Sequence, residues 1–166
     1  MALEAGNKQY DAVISTPLFG ARLGLVFADG VLVKLDFVDE KVALVSAKQP
    51  AHKKVVQQLQ TYFTQSAAQL DVDVVFQGSS FQKRVWQAMC KIPLGKTLTY
   101  GDLAKQLGTS ARAVGNACRT NKIPIVIPCH RIVAKTGLGG YMGHRKGVEL
   151  DIKEWLLQHE QALNAR

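Results

Sequence analysis

The stretch 123–133, with the sequence IPIVIPCHRIV, constrains the fold of this chain more than any other. Its apolar run, 125–127, predicts a buried and extended segment. Pro124 and Pro128 lack the backbone N–H of a strand ladder, so an ordinary central strand is disfavoured. A buried backbone bracketed by two prolines is rigid, and here it leads into a cysteine. We therefore expect this stretch to hold the thiol of Cys129 in a fixed place.

The chemistry of Cys129 has two interpretations. A thiol with the ordinary pKa of about 8.5 is a weak nucleophile at neutral pH, and neighbouring cations lower that pKa. His130 and Arg131 follow directly and are two candidate cations. The alternative is a small buried hydrophobe, which is the usual role of an unpaired cysteine. A Cys-His pair alone favours this alternative, whereas the full string around it favours a reaction centre.

Charge is divided unevenly along the 166 residues, a length that suits one medium domain or two small ones. Residues 1–80 carry 7 Lys/Arg against 8 Asp/Glu, a balance of −1, and residues 81–166 carry 14 against 5, a balance of +9. A polyanion facing only the C-terminal half would explain this difference. An anionic membrane would match the charge too, but no basic amphipathic helix accompanies it, so we expect no membrane partner.

The three cysteines, Cys90, Cys118 and Cys129, form neither a disulfide framework nor a CxxC pair. An odd count without a signal peptide or a long apolar span indicates a reducing, cytoplasmic setting. No histidine stands at ligand spacing from a cysteine, so a zinc site is disfavoured and we expect no metal.

The N-terminal half predicts a small α+β scaffold without a catalytic constellation. Three strand-like segments cover 12–17, 21–27 and 31–38. Asp29-Gly30 predicts a hairpin turn between the last two, because glycine accepts positive φ. A helical stretch begins at Pro50, and the alternation of apolar residues with aspartates over 70–76 predicts a further strand. The segment 77–80 then marks the boundary between a domain of residues 1–78 and one of residues 79–166.

The C-terminal half predicts four helices. They cover about 81–92 with Ser79 or Ser80 as the cap, 100–107 with a capping-box-like start at Thr99, 111–119 with Thr109-Ser110 as the cap, and roughly 149–163. Gly108 suits the cap between the second and third, and two short helices joined by such a turn predict a helix-turn-helix. On the last helix, the predicted buried stripe consists of Ile152, Trp155, Leu156 and Leu163.

The helix 111–119 has an unusual outer face. We expect three residues to face inward (Ala111, Val114 and Cys118) and four to face outward (Arg112, Gly115, Asn116 and Arg119). The outer face has two cations with little bulk between them, and Ala113 flanks it. Such a surface lets backbone come close to DNA, and Arg112 can enter a groove or occupy a vacated base position. The alternative is a solvated face with two ordinary arginines.

These motifs together resemble the O-6-alkylguanine-DNA alkyltransferases, or methylated-DNA–protein-cysteine methyltransferases. The resemblance rests on PCHR at 128 and on spaced motifs in the same order, namely FQ at 81, IPxG at 92, YGxLA at 100, ARAVG at 111, Asn121, PI at 124 and WLLxHE at 155. The N-terminal half matches only in STPLxG at 15. The resemblance implies an α+β fold, with a ribonuclease-H-like N-terminal domain before a mainly helical, winged-helix-like helix-turn-helix domain.

The resemblance implies DNA repair by direct, stoichiometric and irreversible transfer of a methyl or other alkyl group to Cys129. The donor would be O6 of guanine, and also O4 of thymine, in duplex DNA approached from the minor groove, after the base has been flipped out. It further implies a monomer that needs no cofactor. The protein would be cytoplasmic and associated with the nucleoid in a prokaryote, or nuclear in a eukaryote. Nothing recognisable in the sequence would cleave the thioether, so each molecule acts once.

The same resemblance implies a role for each matching residue. Cys129 would accept the alkyl group, His130 would act as its base through a water, Glu160 would orient His130, and Tyr100 would donate a proton to the departing guanine. Arg112 would fill the stack, with Ala111, Ala113, Gly115 and Arg119 completing the DNA contact. The supporting residues would be Asn121 and Arg131 as anchors of the active-site turn, Ile132 as a backbone acceptor for the guanine amino group, and Tyr141 and Met142 as the pocket lid.

Three features depart from the family pattern. Lys122 replaces the usual proline, Met142 replaces a small residue in the lid, and 144–151 contains several extra residues. Three other classes of function stay open: a lesion sensor that does not repair, a helix-turn-helix regulator, and a cysteine hydrolase. The short side chains on 111–119 are unlike those of an ordinary recognition helix, and no oxyanion hole is recognisable.

Overall fold

The computed structural model describes residues 9–162 and divides into two compact units, Met1–Val75 and Phe76–Arg166. The chain is mixed α and β, with five α-helices and a small antiparallel sheet among the described residues. The predicted boundary, between residues 78 and 79, lies close to this division.

The first unit is built on three antiparallel strands in the order β1-β2-β3. They are β1 (Ala12–Ser15), β2 (Ala21–Ala28) and β3 (Val31–Asp39), followed by helix α1 (Pro50–Thr64). The turn between β2 and β3 has positive φ at both central residues, 49° at Asp29 and 77° at Gly30, as the Asp-Gly pair predicts. Helix α1 begins at Pro50, as predicted, and buries Val55, Leu59, Tyr62 and Phe63.

The strand predicted over 70–76 is wrong. Only Val74 forms a bridge, a parallel one with Leu32. The backbone of Asp71 is occupied by a side chain instead: its N–H donates to Gln58 Oε1 at 2.8 Å, and its carbonyl accepts from Gln58 Nε2 at 2.9 Å. These bonds satisfy the peptide groups that a strand ladder would use, so the alternating pattern does not lead to a strand.

The second unit contains four helices and two short parallel strands. They are α2 (Ser80–Cys90), β4 (Leu98–Thr99), α3 (Tyr100–Leu107), α4 (Ala111–Arg119), β5 (Ile132–Val133) and α5 (Val148–His159). The predicted caps are confirmed: Ser79 caps α2 in a capping box with Gln82, Thr99 caps α3, and Ser110 caps α4. Gly108, with a φ of 66°, ends α3 in the left-handed conformation. Helices α3 and α4 pack together across this turn.

Three predicted details of the second unit are wrong. The segment 125–127 is buried but not extended: it is a turn in which Ile127 N–H donates to Ile123 O at 2.9 Å and Ile125 has a φ of 72°. On α4, Ala111 is exposed and Ala117 is buried, because the core stripe is 114, 117 and 118. On α5, Trp155 is half-buried and stacks on His159. Leu163 lies outside the described residues.

Within residues 9–162, no helix is both long enough and apolar enough to cross a bilayer.

Candidate active site

The thiol of Cys129 lies in the wall of a cavity of about 940 Å³. Cys129 begins a one-turn 3₁₀ helix, Cys129–Arg131, and its N–H donates to Ile127 O at 2.8 Å. The residue is 3% exposed, yet the cavity beside it is also lined by Tyr100 and Met142. The sulfur is therefore enclosed by protein on one side and open to a ligand-sized space on the other.

Asn121 fixes the buried turn that precedes Cys129. Its Nδ2 donates to Ile127 O at 2.8 Å, and its Oδ1 accepts from Ile123 N–H at 2.9 Å. The side chain is buried, and its amide opposes the rise that burial causes in the pKa of Cys129. One amide therefore joins the two ends of the turn that leads to Cys129.

The carboxylate of Glu160 binds the side chains of the two residues that follow Cys129. His130 Nε2 lies 2.8 Å from Glu160 Oε1, and both side chains are fully buried. Arg131 donates through Nε to Oε2 at 2.9 Å and through a terminal nitrogen to Oε1 at 3.0 Å. Another Arg131 nitrogen donates to Ile92 O at 2.8 Å. Arg131 thus connects the 3₁₀ turn to the end of α5 and to the segment after α2.

The pKa values in this group follow from burial and pairing. Burial raises the pKa of Glu160, but its pairing with His130 and the hydrogen bonds and charge of Arg131 outweigh it and lower that pKa below the usual carboxyl range. Burial lowers the pKa of His130 even though Glu160 opposes this. His130 is therefore neutral at pH 7 and donates its Nε2–H to Glu160. Its Nδ1, buried and without a hydrogen-bond partner among the described residues, keeps an available lone pair.

The cation that acts on Cys129 is a residue the sequence reasoning missed. Lys153 is fully buried on α5, and its Nζ donates to the carbonyl oxygens of Ile132 and Leu138 at 2.6 Å and of Gly140 at 2.8 Å. Burial lowers its pKa to about 8. In the sequence, Lys153 directly follows Ile152, a residue of the predicted buried stripe of the last helix. A lysine next to such a stripe is the sequence feature that indicates a buried cation.

The expectation that His130 and Arg131 supply the charge that lowers the pKa of Cys129 is wrong. His130 is neutral and the charge of Arg131 is matched by Glu160. Burial raises the pKa of Cys129, and the Asn121 hydrogen bond and the Lys153 ammonium only reduce that rise. A proton acceptor is therefore needed to generate the thiolate at neutral pH.

Tyr100 places a phenol on the same cavity. It is the first residue of α3, and its hydroxyl donates to Gly140 O at 3.2 Å. A Cβ on Gly139 would lie 2.8 Å from the Tyr100 ring, so the ring packs directly on that backbone. Burial, followed by the nearby thiols Cys118 and Cys129, raises the pKa of Tyr100 well above its usual value. The phenol stays protonated and can act as a donor.

Most of the other predicted residues meet at this cavity. Its wall includes Ala111, Arg112, Gly115 and Arg119 from α4, and Tyr141 and Met142 from the segment after β5. Ala113 is half-buried and lies outside the wall. Ile132 is fully buried and also lies outside it, and its carbonyl accepts a hydrogen bond from Lys153. Cys118 and His144 also line the wall, although the sequence analysis gave them no role there. Over residues 9–162 no three His, Cys, Asp or Glu side chains are grouped to hold a metal ion.

Comparison with known proteins gives consistent matches. Residues 80–162 match the family described as 6-O-methylguanine DNA methyltransferase, DNA binding domain. A methylated-DNA–protein-cysteine methyltransferase of Methanosarcina mazei is 44% identical over 112 residues, 66% of this chain and 68% of the relative. The one from Mycolicibacterium paratuberculosis is 40% identical over 146 residues, 84% of this chain and 86% of the relative.

Solved structures resemble the fold over most of its length. The Mycobacterium tuberculosis OGT in complex with DNA has a TM-score of 0.74 and 32% identity, covering 91% of this chain and 92% of that one. The O6-methylguanine DNA methyltransferase of Methanococcus jannaschii has a TM-score of 0.64 and 33% identity, covering 90% and 92%.

Proposed function

The chain belongs to the methylated-DNA–protein-cysteine methyltransferase family, and we propose that it repairs DNA by moving an alkyl group from O6 of guanine to Cys129. The observation that carries this proposal is the thiol in the cavity wall followed in sequence by a neutral, buried histidine whose Nδ1 lone pair is available. The transfer is stoichiometric and irreversible, and the protein inactivates itself.

The bond changes balance without a cofactor. The Cys129 proton passes through a water to His130 Nδ1, and the thiolate attacks the alkyl carbon. A carbon–sulfur bond forms and the carbon–oxygen bond breaks, with its electron pair going to the guanine. Tyr100 then donates a proton to the guanine and reduces the charge on the leaving group, and the proton held by His130 is returned through solvent to Tyr100. The products are an S-alkylcysteine and an unmodified guanine.

Glu160 and Lys153 act as positioning residues in this scheme. Glu160 accepts the Nε2–H of His130, so the lone pair used for the proton transfer is held on Nδ1. Lys153 joins the carbonyl oxygens of Ile132, Leu138 and Gly140, the last of which lines the cavity, and places a positive charge near the developing thiolate. A lysine ammonium has three hydrogens and can therefore donate one hydrogen bond to each of the three carbonyl oxygens.

Access to the damaged base requires that it leave the helix, because O6 of guanine is hidden in a duplex. Small exposed or half-buried residues on α4, Ala111 and Gly115, let the helix backbone approach the DNA. Arg112 is exposed and on the cavity wall, where it can occupy the vacated position in the stack. Ala113 and Arg119 complete this contact surface, and the Ile132 carbonyl is proposed to bind the guanine amino group. We place the approach in the minor groove.

We also propose that O4 of thymine is a second donor and that the protein is a monomer. We place it in the cytoplasm or nucleoid of a prokaryote, or in the nucleus of a eukaryote, and we propose a ribonuclease-H-like first domain and a winged-helix-like second domain. Each follows from the family resemblance rather than from a contact in this chain.

The decisive experiment mixes the protein with duplex DNA containing O6-methylguanine and measures the mass of the intact protein and its peptides. We expect a gain of one methyl group on the peptide that contains Cys129, at one equivalent. C129S should abolish the gain. C118S is the matched control, because Cys118 lines the same cavity, and C90S is a second control because Cys90 is exposed; both should retain transfer.

Each contrary outcome has a meaning. DNA binding without a mass gain would favour a lesion sensor or a regulator, and continued turnover would favour a hydrolase. Methylation that persists in C129S would show that the site assignment is incorrect.

A further inference from the structure

A tight turn of four residues, 141–144, belongs to the cavity wall. Tyr141 N–H donates to His144 O, and His144 N–H donates to Tyr141 O, both at 2.8 Å. The two central residues have positive φ, 50° at Met142 and 84° at Gly143, which is the two-residue hairpin geometry. We call residues 141–144 the wall turn. The stretch with extra residues begins at its last residue, and the position of the turn decides where Tyr141 and Met142 meet a bound base.

The wall turn is packed against α4 on one side. A Cβ added to Gly143 would lie 3.1 Å from Cγ and Cδ of Arg119, so the aliphatic part of that arginine contacts the turn backbone. A Cβ on Gly140 would lie 2.9 Å from His144 O. These contacts restrict the turn but do not anchor its His144 end to α5.

Glu149 lies on the α5 side of the wall turn with an incompletely paired carboxylate. It is 3% exposed in the first turn of α5, where the helix N-terminus favours a negative charge. Its Oε1 has no hydrogen-bond partner among the described residues and lies 3.8 Å from His144 Nε2. A buried carboxylate oxygen without a hydrogen-bond partner is costly, and a neighbouring imidazole reduces that cost.

We propose that Glu149 is a positioning residue which, by pairing with His144, holds the wall turn and its residues Tyr141 and Met142 against the cavity. The inference rests on the proposed function, since it concerns how well the cavity binds the flipped base. Glu149 acts through His144 and touches no reacting atom. The consequence is a wall turn that is held less firmly when either side chain of the pair is replaced.

The test uses the full chain and compares methyl transfer rates of the wild type, E149Q and H144Q. We expect the second-order rate constant of each variant to be about two- to fivefold below that of the wild type, because each removes one member of the pair. The loss should appear in the DNA concentration for half-maximal rate, with the maximal rate unchanged, because the wall contacts the base before and during transfer.

A double variant and a control separate positioning from simple destabilisation. E149Q/H144Q should lose no more than either single variant, because the two side chains act as a pair. H159Q is the matched control, because His159 is on the same helix as Glu149, stacked on Trp155 and outside the cavity wall. It should retain the wild-type rate constant.

Amide hydrogen exchange supplies a readout that does not depend on transfer. E149Q and H144Q should exchange faster than the wild type at Tyr141 and His144, whose amides close the turn. Equal exchange, or losses that add in the double variant, would overturn the proposal. If no protein transfers methyl groups but the exchange difference is present, the proposed function fails while the pairing stands.

Discussion

At the scale of single residues, the site resolves a conflict between burial and reactivity. Cys129 is 3% exposed, and burial raises the pKa of its thiol. The ammonium of Lys153 reduces the rise without cancelling it, so generating the thiolate depends on His130 as an acceptor. Glu160 makes that possible by binding the opposite nitrogen of His130 and by matching the charge of Arg131.

Glu160 therefore predicts a pH dependence of stability. Its pKa in the folded protein is below the ordinary carboxyl value, so its contribution is complete above about pH 4.3 and is lost as the pH falls further. We expect E160Q to be less stable than the wild type by on the order of 2 kcal/mol at pH 6, and the difference to shrink from pH 5 to pH 2.5. Urea unfolding across this range measures it.

Glu154 offers the control, since it is exposed on the same helix. E154Q should stay within about 0.5 kcal/mol of the wild type across the same range. A constant difference between E160Q and the wild type down to pH 2.5 would contradict the assigned role.

At the scale of elements, the local rules of helix and turn formation account for most of the second unit. Ser79, Thr99 and Ser110 cap their helices as the sequence predicts, since a cap needs only residues within one turn. The segment before Cys129 does not follow local rules: Ile125, a β-branched residue, has a φ of 72°. That conformation is strained, and the Asn121 hydrogen bonds on both sides of it help to hold it.

Two glycines of the helix-turn-helix should respond in opposite ways to alanine. Gly115 is inside α4, and an added Cβ would meet the Tyr100 ring at 4.0 Å, an ordinary contact. G115A should therefore raise stability by about 0.5–1 kcal/mol, through helix propensity, while weakening binding of methylated duplex by roughly threefold to tenfold. G108A should lower stability by about 1 kcal/mol because Gly108 has a φ of 66°.

Thermal unfolding and DNA titration of these two variants measure both effects. Unchanged DNA binding in G115A would argue against close approach of the α4 backbone to the DNA.

At the scale of the whole molecule, the charge is concentrated in one unit. Residues 81–166 have a balance of +9 and residues 1–80 a balance of −1. The cavity wall is correspondingly lined by Arg112, Arg119 and Arg145. Binding to a polyanion through such a surface releases counterions and weakens as salt is added.

The salt dependence of DNA binding should therefore depend on which unit loses a charge. R112A should reduce the slope of log K against log salt by about one if the side chain neutralises a phosphate or enters the DNA. K48A removes an exposed cation from the first unit and should leave the slope unchanged. Fluorescence anisotropy with unmodified duplex between 50 and 300 mM salt, a range suited to such slopes, measures both. Equal slopes for the two variants would contradict a DNA surface centred on α4.

The sequence by itself determined the helix caps, the Asp29-Gly30 hairpin and the helix-turn-helix. It also indicated that the stretch 123–133 carries the candidate reactive thiol, Cys129. These depend on neighbours in the chain: a cap, a turn residue or an apolar period acts over a few positions. The motif resemblance also brought Tyr100, His130 and Glu160 into one expected site, although His130 and Glu160 are 30 residues apart.

Only the tertiary structure decided which cation faces Cys129, which residues surround the cavity, and that 125–127 turns instead of extending. Lys153, on α5, donates to three carbonyl oxygens of the segment 132–140. The positive charge of Arg131 is balanced by the carboxylate of Glu160. Likewise, the side chain of Gln58 pairs with the backbone of Asp71, in the segment where a strand was expected. Such outcomes depend on contacts between residues far apart in the chain, where burial and the nearest available partner outweigh local preference.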